Sequence, residues 1–254
     1  MYFPAPVAAN SMKARRFFLA LAFCTALAAI SACDFLGSAP CLRGEGGLTS
    51  ASKDLPSFTG IDVRLPGKVA VAFGPTHQIS IETHESLQPE IVVEVVGDDL
   101  VIRSESCLEY SAEEANFHIT LPDLQNLELK SSAQVDVVGN GFTQNLRLIL
   151  SGSGAIYYSG TTAKLSVLHS GSGDVVLVGA GQHLETTLSG SGRIKGFGFS
   201  SDTAKIVLAG SGYQQVWVKE ALEAIITGSG NIYYSGSPQI DKYTPGSGLL
   251  IKSN

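Results

Sequence analysis

Six serines sit in near-identical Gly-Ser-Gly triplets, at Ser153, Ser172, Ser191, Ser211, Ser229 and Ser247. A serine nucleophile is singular and needs a base beside it. His169, directly before Ser170, is the one histidine next to a triplet. The repetition argues for a structural use of the triplets and against a serine hydrolase. Glycoside hydrolysis would need two carboxylates about 5–9.5 Å apart. The residues that follow the triplets are Ala155, Asp174, Arg193, Tyr213, Asn231 and Leu249, with a single acid. Asp174 and Arg193, one repeat apart, read as an exposed ion pair. His77, Glu82, His84 and Glu85 cluster without the His-Glu-x-x-His spacing of a zinc site. Glu105, Glu109, Glu113 and Glu114 read as a charged loop. No catalytic residue, metal or cofactor is expected.

Aromatic residues offer binding chemistry instead. Tyr157-Tyr158 and Tyr233-Tyr234 fall at matching places in their repeats, with Tyr213 and Trp217 between them. In a strand one ring of each pair points in and one out. The six residues are therefore candidates for an aromatic surface that stacks on sugar rings or a protein partner.

The four cysteines divide by position. Residues 12–33 run from Met12, Lys13, Arg15 and Arg16 through an apolar stretch, Phe17–Ile30, to Ile30-Ser31-Ala32-Cys33. That order of basic, apolar and small-residue regions is an export signal. Its 14-residue apolar stretch is short for a membrane-spanning helix. The last four residues match the lipobox of bacterial lipoproteins: aliphatic, small, small, cysteine. Residues 1–32 are read as a signal peptide with Met12 as the expected start. Cleavage before Cys33 would leave that thiol carrying diacylglycerol, and two or more acyl chains hold a protein on a membrane durably. The expected location is the bacterial cell envelope, on the outer membrane or the periplasmic face of the inner one. Cys24 leaves with the signal. Cys41 and Cys107 remain as candidates for a disulfide in an oxidising compartment.

Charge is uneven. Residues 33–120 hold 5 basic and 14 acidic groups, and residues 121–254 hold 9 of each. With a net charge of −6 the chain lacks the basic face that nucleic-acid binding requires, so no nucleic-acid partner is expected.

The elements that position these residues are short strands. Residues 33–57, with their glycines, prolines and serines, read as a tether behind the lipidated cysteine. Strand signals follow at Ile61–Arg64, Val69–Phe73, Gln78–Glu82, Ile91–Val96, Leu100–Arg103, Asn116–Leu121 and Leu127–Lys130, with a turn at Gly97-Asp98-Asp99. Leu108–Ala115 is an acidic helical or looped insertion. No stretch sustains a helical apolar period. From residue 126 the triplets recur at steps of 19, 19, 20, 18 and 18 after a degenerate copy, Ser131-Ser132-Ala133. A period near 19 is one coil of a β-helix: a coil cannot bury its apolar side alone, and stacking coils makes a continuous core. The expected fold is all-β, a β-solenoid of about seven C-terminal coils behind a strand-rich N-terminal part. Its glycines would supply positive φ at the corners, and its triplet serines would stack into a hydrogen-bonded ladder.

Residues 58–254 resemble the bacterial auto-transporter adhesin head domain, the head GIN domain. The resemblance rests on Phe58-Thr59-Gly60-Ile61-Asp62-Val63, Asp98-Asp99-Leu100-Val101-Ile102, Leu121-Pro122-Asp123-Leu124 and repeats such as Leu150-Ser151-Gly152-Ser153-Gly154. Residues 58–125 match its N-terminal part and 126–254 its repeats. The resemblance implies a β-helix-like domain, common on exported lipoproteins, and carries no catalytic motif. The expected function is a non-catalytic binding or scaffold module, attached to membrane through Cys33, with a polysaccharide or protein partner. The alternatives are a carbohydrate-active β-helix enzyme and a purely structural envelope element.

Overall fold

An apolar residue at every second position, as at Leu146, Leu148 and Leu150, commits a segment to a strand with one buried side. The computed structural model describes residues 41–253, and these segments build a parallel β-solenoid with two principal faces.

Face A stacks the strand halves that follow each corner, and face B those that precede it. The N-terminal strands are β1 (Leu42–Arg43), β2 (Leu48–Asp54), β3 (Gly60–Val63), β4 (Lys68–Phe73), β5 (Gln78–His84), β6 (Ile91–Val96), β7 (Asp99–Ser104), β8 (Leu108–Glu109), β9 (Asn116–Leu121) and β10 (Asn126–Leu129). The long strands β11 (Gln134–Leu150), β12 (Ala155–His169), β13 (Asp174–Leu188), β14 (Arg193–Leu208) and β15 (Tyr213–Ile226) each bend from face A to face B. The chain finishes with β16 (Asn231–Ser235), β17 (Gln239–Tyr243) and β18 (Leu250–Lys252). Face B runs β7, β3, β10, the later halves of β11 to β15, then β17. Face A runs β9, β4, the earlier halves of β11 to β15, then β16 and β18. The layer of β7 and β9 lies outside that of β3 and β4, although it comes later in the chain.

Inward positions form columns. Leu129, Leu150, His169, Leu188, Leu208 and Ile226 stack on face B. Val135, Ile156, Val175, Ile194, Gln214 and Ile232 stack opposite them on face A. All are buried, and each large aliphatic side chain contributes roughly 1.5–3 kcal/mol on burial. The polar residues in these columns are satisfied: Gln214 accepts from Thr186 across the core and donates to the Val207 carbonyl, and both ring nitrogens of His169 lie against main-chain carbonyls.

The corner between the faces sets the stacking. In four of the triplets the second glycine donates its N–H to the carbonyl of the first glycine one coil back, as from Gly192 to Gly171 and from Gly230 to Gly210, both at 3.2 Å, and Gly154 donates likewise to Ser131. A Cβ at Gly190 would lie 2.1 Å from the Gly171 oxygen, and one at Gly173 would lie 1.8 Å from the Gly154 oxygen. The triplet glycines all keep negative or extended φ; on the run ends, Gly179 and Gly236 have φ of +123° and +98°. Close approach of stacked backbones, not a left-handed turn, is thus what requires glycine in the triplets. The serine ladder does not form either. The triplet serines are exposed, and no hydrogen bond joins one to the next among the described residues.

Two ends close differently. At the N-terminal end antiparallel strands cover both sheets, β6 beside β7, and β5 beside β9 with β2 beyond it. Residues 41–57 therefore do not behave as the tail of a tether. They form β1 and β2, and β2 pairs with β5 over seven residues, Leu48 to Asp54. Main-chain pairing along a sheet edge asks little of the side chains, so polar Thr49, Ser50 and Ser52 suffice. The remainder of the tether, Cys33 and the signal peptide lie outside the described residues. At the C-terminal end the inward positions of Ala224 and Tyr234 pass to Lys242 and Lys252 in the last layer. The acidic insertion is strand β8 followed by a single 3-10 turn, Ala112–Glu114.

Gly190→Ala is expected to cost roughly 2–4 kcal/mol in urea unfolding, because the Cβ must push two coils apart. Ser191→Ala should stay within about 0.5 kcal/mol. Equal losses would show that the corner is held by its serines after all.

Candidate functional site

Outward positions on face A define the first surface. Its columns read Gln134, Ala155, Asp174, Arg193, Tyr213, Asn231 and, two residues on, Asp136, Tyr157, Val176, Lys195, Gln215, Tyr233. Tyr213 and Tyr233 meet edge to face, with ring centroids 6.1 Å apart. Trp217, four residues along β15 and opposite Ser235 of β16, is 41% exposed on the same strand. Tyr157 is also exposed but lies four layers from Tyr233, about 19 Å away at ~4.8 Å per layer. The six aromatics read from the sequence are therefore not one surface. Tyr158 is buried and packs near Phe199 in the core, its centroid 6.3 Å away. Burial pushes its phenol up to about 12. Tyr234 packs against the core as well. Inward alternation removes both from any binding role. What remains is a trio, Tyr213, Trp217 and Tyr233, with Tyr157 apart.

Between them lies a charged knot. Asp174 accepts from Arg193 at 2.5 Å and from Lys195 at 2.8 Å. Burial pushes the Asp174 carboxyl up, but the hydrogen bonds and charges of Lys195 and Arg193 outweigh it and hold the group below the usual carboxylate range. This carboxylate is committed to two cations and is not a free acid or base.

Face B is the second surface. Its outward residues include the ion pairs Lys164–Glu185 and Lys205–Glu223, both at 2.8 Å. Toward the N-terminal end it hollows into an open groove of about 680 Å3, lined by Asp123, Gln125, Phe142, Asn145 and Arg147 among others. Glu223 and Asp241 are cross-strand neighbours at the other end. These charges escaped the reading of single motifs. Most become visible once the repeats are aligned, since Arg147, Glu185, Lys205, Glu223 and Asp241 each lie five residues before the first glycine of the next triplet.

The other candidates are accounted for. His169 is buried, with Nδ1 3.1 Å from the Leu150 carbonyl and Nε2 2.8 Å from the Gly173 carbonyl. Both nitrogens face main chain, so it does not serve Ser170 as a base. Glu82 accepts from Asn116, and His84 sits against the Gly46 carbonyl and Glu114. Glu109 and Glu105 pair with Arg43 and Arg103. Glu114 accepts the Ser111 N–H, which holds its carboxyl low. Cys41 and Cys107 are joined, with sulfurs 1.97 Å and Cα atoms 4.6 Å apart, where β1 runs parallel to β8. Among the described residues no helix is long and apolar enough to cross a membrane.

Comparisons with known proteins agree with this architecture. The family model described as "putative auto-transporter adhesin, head GIN domain" matches residues 57–238, and the chain belongs to that family. A putative adhesin from Bacteroides fragilis is 24% identical, with a TM-score of 0.76 over 84% of this chain and 100% of its own. A putative adhesin from Parabacteroides merdae is 17% identical, with a TM-score of 0.65 over 85% of this chain and 100% of its own. A putative lipid binding protein from Parabacteroides distasonis is 22% identical, with a TM-score of 0.70 over 84% of this chain and 99% of its own. No curated protein matches the chain. These matches cover 99–100% of the solved chains, and residues 41–254 of this chain form a compact unit with its own core.

Because the folded Asp174 carboxyl is depressed, its contribution is present above the unfolded value of about 3.9 and is lost as pH falls through the folded value. Thermal melts on acidification below about pH 4 should therefore fall less steeply for Asp174→Asn than for wild type. Parallel curves would show that the knot adds nothing to stability.

Proposed function

We propose that this head GIN domain is a non-catalytic adhesin module of the bacterial cell envelope, tethered by lipid on Cys33, which binds an extended polymer along face A. The observation that carries this reading is the outward trio of Tyr213, Trp217 and Tyr233 on a sheet held rigid by coil-to-coil pairing. Such rings offer large contact area at small entropic cost, and aromatic faces stack on the apolar faces of sugars. The sheet repeats every ~4.8 Å along the rod, so a linear chain laid on it meets similar chemistry at successive layers. Tyr157 offers a second contact further along. A polysaccharide is the preferred partner because the trio is flanked by hydrogen-bonding side chains, Gln215 and Asn231, rather than by a deep apolar slot.

Chemistry on the ligand is not part of the proposal. Of the two outward carboxylates in the face A columns, Asp174 is neutralised by two cations and Asp136 accepts from Gln134, and His169, the one histidine beside a triplet, has both nitrogens on main chain.

A glycan array probed with residues 41–254 should return hits that Trp217→Ala and Tyr213→Ala each weaken by roughly 1–2 kcal/mol. No signal above background would overturn the sugar-binding reading. The anchor has its own test. Palmitate should label the wild-type chain in cells and fail to label Cys33→Ala; label retained in the variant would refute lipidation at that residue.

A further inference from the structure

Face B carries a line of charges that is complementary to its own reverse. Beyond Arg147 the outward column passes to Asn126, Gly60 and Asp99 in β10, β3 and β7; over the six layers from β11 to β17 it reads Arg147, Ser166, Glu185, Lys205, Glu223, Asp241. Set against the same column running backwards, Arg147 meets Asp241, Ser166 meets Glu223 and Glu185 meets Lys205. No two like charges face each other. Within one copy the arrangement is less satisfied. Glu223 and Asp241 are adjacent acids, which repel across a strand pair. Neither Arg147 nor Asp241 has an ion-pair partner among the described residues.

The neighbouring outward column is apolar where alternation would place polar groups. It reads Ile149, Leu168, Thr187, Val207, Ile225, Tyr243. Tyr243 is 65% exposed at its end. Reversed, it sets Ile149 against Tyr243 and Leu168 against Ile225. The third column, Asn145, Lys164, His183, Thr203, Ala221, Gln239, also brings no like charges together when reversed.

We propose that face B is the interface of a homodimer in which two copies pack sheet to sheet with their rod axes antiparallel. A two-fold axis between the sheets, parallel to the strands and midway between the Glu185 and Lys205 layers, superposes the six layers from β11 to β17 of each column on their own reverse and leaves β10, β3 and β7 beyond the contact. Strand directions stay aligned, as they do in stacked sheets, and the contact is isologous and closes at two. The hollow at the Arg147 end lies under the partner's copy of β17, the last strand of face B, whose side chains are all exposed in the single copy. Six layers at ~4.8 Å and six residues at ~3.3 Å give about 570 Å2 of sheet per copy, so the pair buries on the order of 1,150 Å2, the lower end of specific interfaces. Association is therefore in the micromolar range and weakens as salt rises. Face A remains open on both outer sides.

Sedimentation velocity on residues 41–254 across a micromolar concentration series tests this. Wild type should show a monomer–dimer equilibrium. Arg147→Glu and Asp241→Arg should each raise the dissociation constant at least about tenfold, and the double variant should recover most of that loss because the reversed pair is again opposite in sign. Unchanged melting temperatures keep misfolding out of the comparison, since both positions are exposed. A wild type that stays monomeric, a dimer indifferent to the single reversals, a folded double variant without recovery, or assembly beyond two copies would overturn the proposal.

Discussion

At each corner of the solenoid the chain crosses its previous turn at hydrogen-bonding distance, and no volume is left for a side chain. A Cβ at Gly171 would lie 1.9 Å from the oxygen of Gly152, and the same holds up the stack at Gly210 and Gly228. This one steric condition governs most of the rest. It lets the inter-coil ladder continue through the corner instead of breaking there. It keeps successive layers in register, so residues at equivalent places in each repeat fall into straight columns. It also ties coil length to a narrow range, because an added residue must be absorbed elsewhere in the turn. The bulge between Val176 and Val178, opposite β14, is such an adjustment.

Columns convert a one-dimensional repeat into two-sided chemistry. Inward columns need only be apolar and of complementary volume, and they accept polar residues when these find each other, as Thr186 and Gln214 do. His169 shows how tightly the corner and the core are coupled: its ring occupies the space a Cβ at Gly192 would claim, 2.0 Å from Nε2. Outward columns are free of packing demands, and there the repeats diverge. Face A gathers aromatic rings and a charged knot; face B gathers alternating charges beside aliphatic residues. Function in such a molecule lies in the differences between repeats, while stability lies in their sameness.

Much of this was legible in the residues. The triplet spacing announces the coil, and the Leu-Arg-Leu-Ile-Leu pattern announces which side is buried. Gly97-Asp98 marks the β6–β7 turn, where Gly97 has φ of +64°. Three things were not legible, each for a physical reason. The β2 edge strand looks like a linker because it buries almost nothing and is held by main-chain bonds to β5, which composition does not encode. The layer order at the N-terminus depends on long-range pairing of β7 with β3, and local pattern does not encode that either. The grouping of the aromatics depended on register: Tyr157 and Tyr233 share a column, yet Val176, Lys195 and Gln215 separate them in it. The charge column was legible in principle, through its fixed offset from each triplet, but a search for motifs passes over residues that mean something only as a series.

Lys242 and Lys252 end two of the inward columns, one on each face, with a charge that the interior cannot accept. The molecule thereby carries its stop signal in its final turn and its start signal in the antiparallel N-terminal strands, with no length information between. Duplication or loss of a middle turn would lengthen or shorten the rod by one layer and leave both termini intact. Rod length is thus an easily inherited variable, open to adjustment by unequal recombination among near-identical repeats. The outward series is less forgiving. An added turn shifts the midpoint of the charge column, so lineages that change length must rewrite face B while the interior needs no revision.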